Sequence, residues 1–152
     1  MITRSTALAL SILLVAACTP KGDDTDKPKD DDGQQEPAVT VETLENQGSA
    51  CISGAADQAH TVQVEFGTCM SSSCDALKSA SCTVELSGTE LIVQGKAEIS
   101  HVQQGACTDD CRRAEATCST APLAAGSYTL VYAGKRKDVV VPLSDPACTE
   151  TY

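Results

Sequence analysis

The chain has 152 residues, a formal net charge of −10, no tryptophan and a single phenylalanine. An acidic surface repels phosphate groups, so the composition argues against nucleic acid as a partner. A domain this poor in aromatic residues buries less apolar surface than most, and it needs another source of stability. The nine cysteines supply that stability if the chain resides in an oxidising compartment.

The N-terminal leader has the pattern of a secretory signal. Arg4 precedes an apolar run over residues 7–17, which ends in the small pair Ala16-Ala17. A basic end, an apolar segment and small residues in this order are typical of a signal peptide. As a helix the run would rise only about 16 Å, against a hydrocarbon core of about 30 Å. We therefore expect a cleaved leader rather than a transmembrane helix.

The segment Val15-Ala16-Ala17-Cys18 resembles the lipobox of bacterial lipoproteins. In that family the cysteine thiol receives a diacylglycerol, the chain is cut just before it, and the new amine is acylated. The resemblance implies a signal peptide over residues 1–17 and a lipidated Cys18 that holds the protein on a membrane. Thr19 resembles the sorting signal for the outer membrane, so we expect the periplasmic or surface face of that membrane. The alternative is an ordinary signal peptide whose Cys18 later joins a disulfide.

Residues 18–37 follow as an acidic linker. The stretch carries seven acidic residues, three lysines and three prolines, and it has no Val, Ile, Leu or aromatic side chain. Such a segment cannot bury enough surface to offset its ordering entropy, so we expect a disordered tether. The aspartates lack the D-x-D-x-D-G spacing with a distal Glu that a tight calcium site requires.

The remaining cysteines predict a disulfide framework. An even number of cysteines in an exported chain is typical of disulfide pairing, here up to four bridges. If Cys18 joined a disulfide instead, one thiol would be left over. The sequence does not fix the pairing, because eight cysteines allow about 105 connectivities. The eight are Cys51, Cys69, Cys74, Cys82, Cys107, Cys111, Cys118 and Cys148.

The sequence pattern of residues 38–152 is typical of one β domain. In residues 61–66, Val62, Val64 and Phe66 alternate with polar residues, which is the pattern of a half-buried strand. Turns are predicted at Ser87-Gly88 and at Gly95-Lys96. Short strands at this spacing favour an antiparallel sandwich over a parallel sheet. The predicted strands cover residues 38–44, 50–53, 61–66, 81–87, 89–94, 97–102, 127–132 and 137–141.

Two stretches predict short helices. Residues 72–78 begin with N-capping serines and an early Asp75. Residues 108–118 have Thr108 as a cap, and they place Cys111, Ala114 and Cys118 at i, i+3 and i+7 on one helical face. We expect one or two short helices attached to the sandwich by disulfides.

The segment Leu123-Ala-Ala-Gly-Ser-Tyr128-Thr-Leu130 resembles the entry to a late strand in immunoglobulin-like and transthyretin-like sandwiches. The resemblance implies an immunoglobulin-like sandwich in which Tyr128 packs at a corner and its hydroxyl bonds back to the backbone. The core tryptophan of true immunoglobulin domains is absent.

Three kinds of reactive site are disfavoured by their spacing. Cys69-x4-Cys74 and Cys107-x3-Cys111 lack the usual C-x2-C of zinc sites, and zinc needs reduced thiolates. A redox role for Cys107 and Cys111 is disfavoured because the acidic residues between them would raise a thiolate pKa. No G-x-S-x-G motif is present, and His60 and His101 are predicted to be surface or half-buried residues. We expect no catalytic residue, no metal and no cofactor.

These observations favour a non-enzymatic binding or structural module. A rigid domain on a flexible tether suits a protein that displays loops to a partner, and the region 103–120 is the best candidate surface. The alternative is a small exported enzyme or enzyme inhibitor on a disulfide-rich scaffold.

Overall fold

The computed structural model describes residues 37–103 and 105–149. The predicted signal peptide, Cys18 and the tether up to residue 36 lie outside the described residues. The described part is mainly β and contains no helix, and so it holds no helix of the length and apolar character needed to cross a membrane. Its strands are β1 (Ala38–Glu45), β2 (Ser49–Ser53), β3 (Ala59–Glu65), β4 (Asp75–Ser87), β5 (Glu90–Gln103), β6 (Glu115–Pro122), β7 (Gly126–Tyr132), β8 (Lys135–Val141) and β9 (Ala147–Cys148).

The strands form two sheets. The five-stranded sheet has the order β1-β5-β7-β8, and β4 pairs with the other edge of β5. The four-stranded sheet has the order β6-β3-β2-β9. The long strand β5 is therefore the centre of the first sheet, and β4 and β1 flank it along much of its length.

One hydrophobic cluster joins the two sheets in a sandwich-like arrangement. The predicted alternation in β3 is confirmed, because Val62, Val64 and Phe66 are fully buried. Leu91 and Ile99 of β5 are buried in the same cluster from the opposite sheet. Aliphatic residues thus supply most of this core, to which Phe66 and Tyr132 add the large fully buried aromatic rings.

The predicted turn at Gly95-Lys96 is wrong. Gly95 lies inside β5, where the strand continues from Glu90 to Gln103. A Cβ at Gly95 would lie 2.9 Å from the Tyr132 hydroxyl and 3.3 Å from the Phe66 ring. The glycine therefore serves close packing by two aromatic rings rather than a turn. The turn predicted at Ser87-Gly88 is confirmed, with Gly88 at φ 62° between β4 and β5.

The helix predicted over residues 108–118 is also wrong. From Ala114 onward the chain buries alternate residues, and β6 pairs antiparallel with β3 so that Cys118 lies opposite Val62. The period of burial is two, whereas the prediction relied on a helical spacing of cysteines. Disulfides fix these cysteines against other strands, so their spacing along the chain carries no helical signal.

Residues 72–78 do not form the second predicted helix. Asp75 begins β4 instead of the first turn of a helix, and its carboxylate accepts a hydrogen bond from the Ser71 amide at 2.6 Å. The Cys74 carbonyl accepts from the Val102 amide at 2.7 Å. Pairing with β5 therefore takes the backbone groups that a helix would have used.

The sheets are not purely antiparallel. Residues 90–92 of β5 pair in parallel with residues 129–131 of β7, whereas the other strand pairs are antiparallel. The hydrogen bond predicted for Tyr128 is confirmed, since its hydroxyl donates to the Ala124 carbonyl at 3.1 Å.

Candidate functional site

The eight cysteines predicted to be crosslinks form four disulfides. Two of the bridges join elements of the sheets: Cys51–Cys148 joins β2 to β9, and Cys82–Cys118 joins β4 to β6. The other two, Cys69–Cys111 and Cys74–Cys107, connect a pair of loops. Cys107 and Cys111 therefore pair with different partners and not with each other, which removes the redox motif weighed from the sequence.

The loop pair, defined as residues 67–74 and 105–113, combines exposed residues with covalent constraint. All nine residues of 105–113 are exposed, yet two disulfides fix them to residues 69 and 74. The predicted binding region 103–120 is thus divided. Its first half is an exposed loop, and residues 115–120 belong to β6 within the four-stranded sheet.

Backbone hydrogen bonds align the two loops. Met70 and Arg112 exchange a pair of bonds, at 2.8 Å from the Met70 amide and 2.9 Å from the Arg112 amide. The Met70 side chain is 4% exposed and packs in the core. The loop pair is therefore an antiparallel extension of the fold, anchored beneath by one apolar side chain.

A cluster of hydroxyls fills the space between the two disulfides. Ser72 donates to the Asp110 carboxylate from its amide and its hydroxyl, both at 3.0 Å, and Thr108 donates to the same oxygen. The Thr108 amide donates to the Ser73 hydroxyl at 2.9 Å. Hydrogen bonds from Thr108 and then from the Ser72 amide lower the pKa of Asp110 to about 2. The loop pair therefore presents a fixed negative charge over most of the pH range.

An ion cluster supports the loop pair from the sheet. The Asp75 carboxylate, which holds the Ser71 amide, lies 2.8 Å from Nδ1 of His101, and Nε2 of His101 lies 3.1 Å from the Glu42 carboxylate. The hydrogen bond to Asp75 is the largest cause that raises the pKa of His101. The Ser71 amide and then His101 lower the pKa of Asp75. Both ring nitrogens face carboxylates, so the raised pKa of His101 favours its charged form, and the side chain joins β4, β5 and β1.

This cluster predicts a pH-dependent stability. Because the pKa of His101 is raised in the folded state, the charged ring gives its full stabilisation below the unfolded-state pKa of 6.5. This stabilisation is lost as the pH rises through the folded-state pKa. Because the pKa of Asp75 is lowered in the folded state, its carboxylate stabilises the fold above the unfolded-state pKa of 3.8. This stabilisation is lost as the pH falls through the folded-state pKa. The pair therefore stabilises most between these limits. His101→Gln should lower the free energy of unfolding by about 1 kcal/mol near pH 5.5 and by less near pH 9.

Urea unfolding of the oxidised protein, followed by circular dichroism, measures this difference. Glu42→Gln is the matched control, because it removes one carboxylate and keeps the bond between His101 and Asp75; it should show a smaller loss at the lower pH. An equal loss at both pH values for His101→Gln would contradict the ion cluster.

His60 lies elsewhere and differs from the prediction. It is fully buried rather than on the surface, with Nδ1 3.0 Å from the Gln58 carbonyl. Its Nε2 is buried and has no hydrogen-bond partner among the described residues. The sequence does contain a pattern that predicts this burial, because residues 60, 62 and 64 of a strand point to the same face and Val62 and Val64 are apolar.

The described residues do not combine the histidines and cysteines into a metal site. His60 and His101 lie on different sheets, and the cysteines weighed as ligands are in disulfides. Within residues 37–103 and 105–149, no group of three or more His, Cys, Asp or Glu side chains is arranged to hold a metal ion.

A cleft of about 340 Å³ lies beside the loop pair. Cys69 and Arg113 of the loop pair line it together with Glu65, Gly48 and Lys135. Arg113 forms an ion pair with Glu65, and Lys135 Nζ lies 3.4 Å from the Gly48 carbonyl. The loop pair and the cleft share residues, so a single partner can contact both. Searches of the chain against protein-family models, curated proteins and solved structures find no match.

Proposed function

We propose that the protein is a non-enzymatic binding module, held on a bacterial membrane by lipid at Cys18, which engages its partner with the loop pair. The observation that carries this proposal is the combination of exposure and constraint at residues 105–113, where nine exposed residues are fixed by two disulfides. Elsewhere in the described chain, the other two disulfides join strands.

Constraint of this kind favours binding. A flexible loop loses conformational freedom when it docks, at about 0.5–1.5 kcal/mol for each immobilised side chain. The loop pair has already lost that freedom through two disulfides and the hydrogen bonds around Asp110. Because these restraints also keep polar side chains in a defined pattern, they support selective recognition of one partner over others.

The export and the anchor belong to the same proposal. Lipidation within the lipobox-like segment at residues 15–18 would hold the domain outside the cytosol in the cell envelope, and Thr19 favours the periplasmic or surface face of the outer membrane. Four disulfides support an oxidising compartment. The acidic tether would then let the domain reach a partner at some distance from the lipid surface.

The finer fold assignment is part of this proposal. We assign the two sheets to an immunoglobulin-like sandwich, supported by the shared core and by the Tyr128 hydrogen bond to Ala124. In such folds the loops at one end carry recognition, which agrees with the position of the loop pair.

The environments of the two histidines support a non-enzymatic role. His101 directs both ring nitrogens at carboxylates, so neither nitrogen is left to activate a serine or a water molecule. His60 has no accessible surface. The cleft beside the loop pair is lined by Glu65, Arg113 and Lys135 without a histidine.

Crosslinking of cell envelopes tests the proposal. The protein is crosslinked in intact cells, and captured partners are identified by mass spectrometry. A double variant, Ala106→Arg with Asp109→Arg, changes two exposed loop residues that form no hydrogen bond with other described residues. A specific partner should fall about tenfold in recovery with this variant, as expected when contacts at the centre of an interface are lost.

The control variant, Ser87→Arg with Glu85→Arg, makes the same change in charge at exposed positions of β4. It should recover the partner at the level of the unmodified protein. Equal recovery by both variants, or the absence of a specific partner, would contradict the proposal and favour a purely structural role in the envelope.

A further inference from the structure

The edges of the two sheets differ in how they are protected against pairing with another chain. Natural proteins protect an edge strand with lysines, prolines, bulges or short length. β4 has Lys78 at a register shift against β5, and a disulfide ties it to β6. β6 ends in Pro122, β8 carries three basic residues at 135–137, and β9 has two residues.

The remaining edge, β1, has no proline, no bulge and no short length, and its charged residues are two glutamates rather than lysines. Its eight residues, Ala38–Glu45, contain no lysine or proline. They pair with β5 in one unbroken register from Ala38 opposite Gln103 to Glu45 opposite Lys96. Among the described residues β1 pairs with β5 alone and stands at the end of its sheet. Its outer edge therefore leaves a row of backbone donors and acceptors available to another strand.

The side chains of β1 indicate what kind of strand would fit. Val39 and Val41 point to one face and are 58% and 62% exposed. Glu45 lies on the same face as the two valines, is exposed and has no ion-pair partner among the described residues, whereas Glu42 lies on the other face and is held by His101. The net charge of the chain is −10. An added strand would place its side chains beside these residues, so branched apolar groups and basic groups are complementary to them.

From this edge we infer that β1 binds an extended, basic segment of a partner protein by strand addition, with apolar side chains against Val39 and Val41 and a basic side chain beside Glu45. Main-chain hydrogen bonds supply the affinity, and the alternating side chains supply the selectivity. This inference goes beyond the proposed function, because it does not involve the loop pair.

Two other occupants fit the edge less well. A second copy of the chain would bring two acidic edges and two net charges of −10 together. The chain's own residues 19–36 contain no Val, Ile, Leu or aromatic residue to pack against Val39 and Val41. Both remain distinguishable outcomes of the experiment.

The probe is a synthetic peptide about eight residues long to match β1. Its alternate positions, which share one face of a strand, carry valines to meet Val39 and Val41 and a lysine to meet Glu45, and threonines fill the other positions. The peptide is titrated into the mature protein at low salt, and binding is measured by calorimetry. Amide hydrogen exchange of the protein is then followed with and without the peptide. The peptide should slow exchange specifically in residues 38–45. Val41→Lys should raise its Kd about tenfold by adding a like charge and removing an apolar contact, whereas Val140→Lys should leave the Kd within about twofold.

Val140 is a matched control because it is 64% exposed on the edge strand β8. A peptide with proline at its central valine should fail to bind, since proline lacks the amide that strand pairing requires. Three outcomes overturn the inference: exchange in β1 unchanged by the peptide, equal effects of the two lysine variants, or protection in the free chain of the outward-facing β1 amides, which are not bonded to β5. In the last case, sedimentation at two concentrations separates a dimer from coverage by the chain's own N-terminal segment.

Discussion

Replacing Cys18 with serine is expected to move the protein from the membrane fraction to the soluble fraction. The expectation follows from the resemblance of residues 15–18 to a lipobox. Each buried methylene of an acyl chain contributes about 0.8 kcal/mol, so several chains hold far more strongly than a single myristoyl group. Serine offers no thiol for the lipid, so the variant lacks the expected anchor.

Detergent phase separation and fractionation of cells measure this effect. Thr19→Ser is the matched control, because it changes the neighbouring residue and leaves the thiol in place; it should stay with the membrane. Membrane partitioning that Cys18→Ser leaves unchanged would refute the anchor, and the binding module would then need another route to the envelope.

Removing the Cys51–Cys148 bridge is expected to lower the free energy of unfolding by about 4 kcal/mol. This disulfide has the largest sequence separation of the four, 97 residues, and its closed loop contains the other three bridges. It also fixes the C-terminal segment, where Thr149 is 1% exposed and exchanges hydrogen bonds of 2.9 and 3.0 Å with Ala50. The double variant Cys51→Ala with Cys148→Ala loses both restraints.

The control is Cys74→Ala with Cys107→Ala. That bridge lies within the loop that Cys69–Cys111 already closes, so its removal frees few further conformations of the unfolded chain and should lower the free energy of unfolding by only about 2.5 kcal/mol. Urea denaturation followed by circular dichroism compares the two. A smaller loss for the Cys51–Cys148 variant than for the control would contradict the view that the bridges act by restricting the unfolded chain.

Local patterns predicted much of the sheet structure. The alternation of Val62, Val64 and Phe66 identified β3, and Ser87-Gly88 identified the hairpin between β4 and β5. The turn predicted at Gly95 is wrong because, in the sequence, a glycine required by close packing looks the same as a glycine required by a turn. Its close neighbours, Tyr132 and Phe66, come from distant parts of the chain, and a local pattern carries no information about them.

The candidate site was predicted less completely, and the cysteines explain why. Their number indicated four bridges, but the pairing depends on which strands are adjacent. Without that pairing, the spacing of Cys111 and Cys118 predicts a helix, and nothing in the sequence predicts the contact between residues 69–74 and 107–111. The parity of His60 with Val62 was a usable signal, whereas the position of Asp75 beside His101 depends on the register of β4 and β5.

Disulfide mapping of the unreduced mature protein tests the central claim most directly. Trypsin should release residues 79–96 linked to residues 114–135 through Cys82 and Cys118. After further cleavage at Glu65, the fragment with Cys51 should be linked to the one with Cys148. Partial reduction and alkylation then separate Cys69–Cys111 and Cys74–Cys107 from the exchanged alternative.

We predict these four links and an alkylation-resistant protein whose mature chain starts at a lipidated Cys18. An uncleaved, soluble precursor with thiols open to alkylation, or a different set of links, would contradict the account.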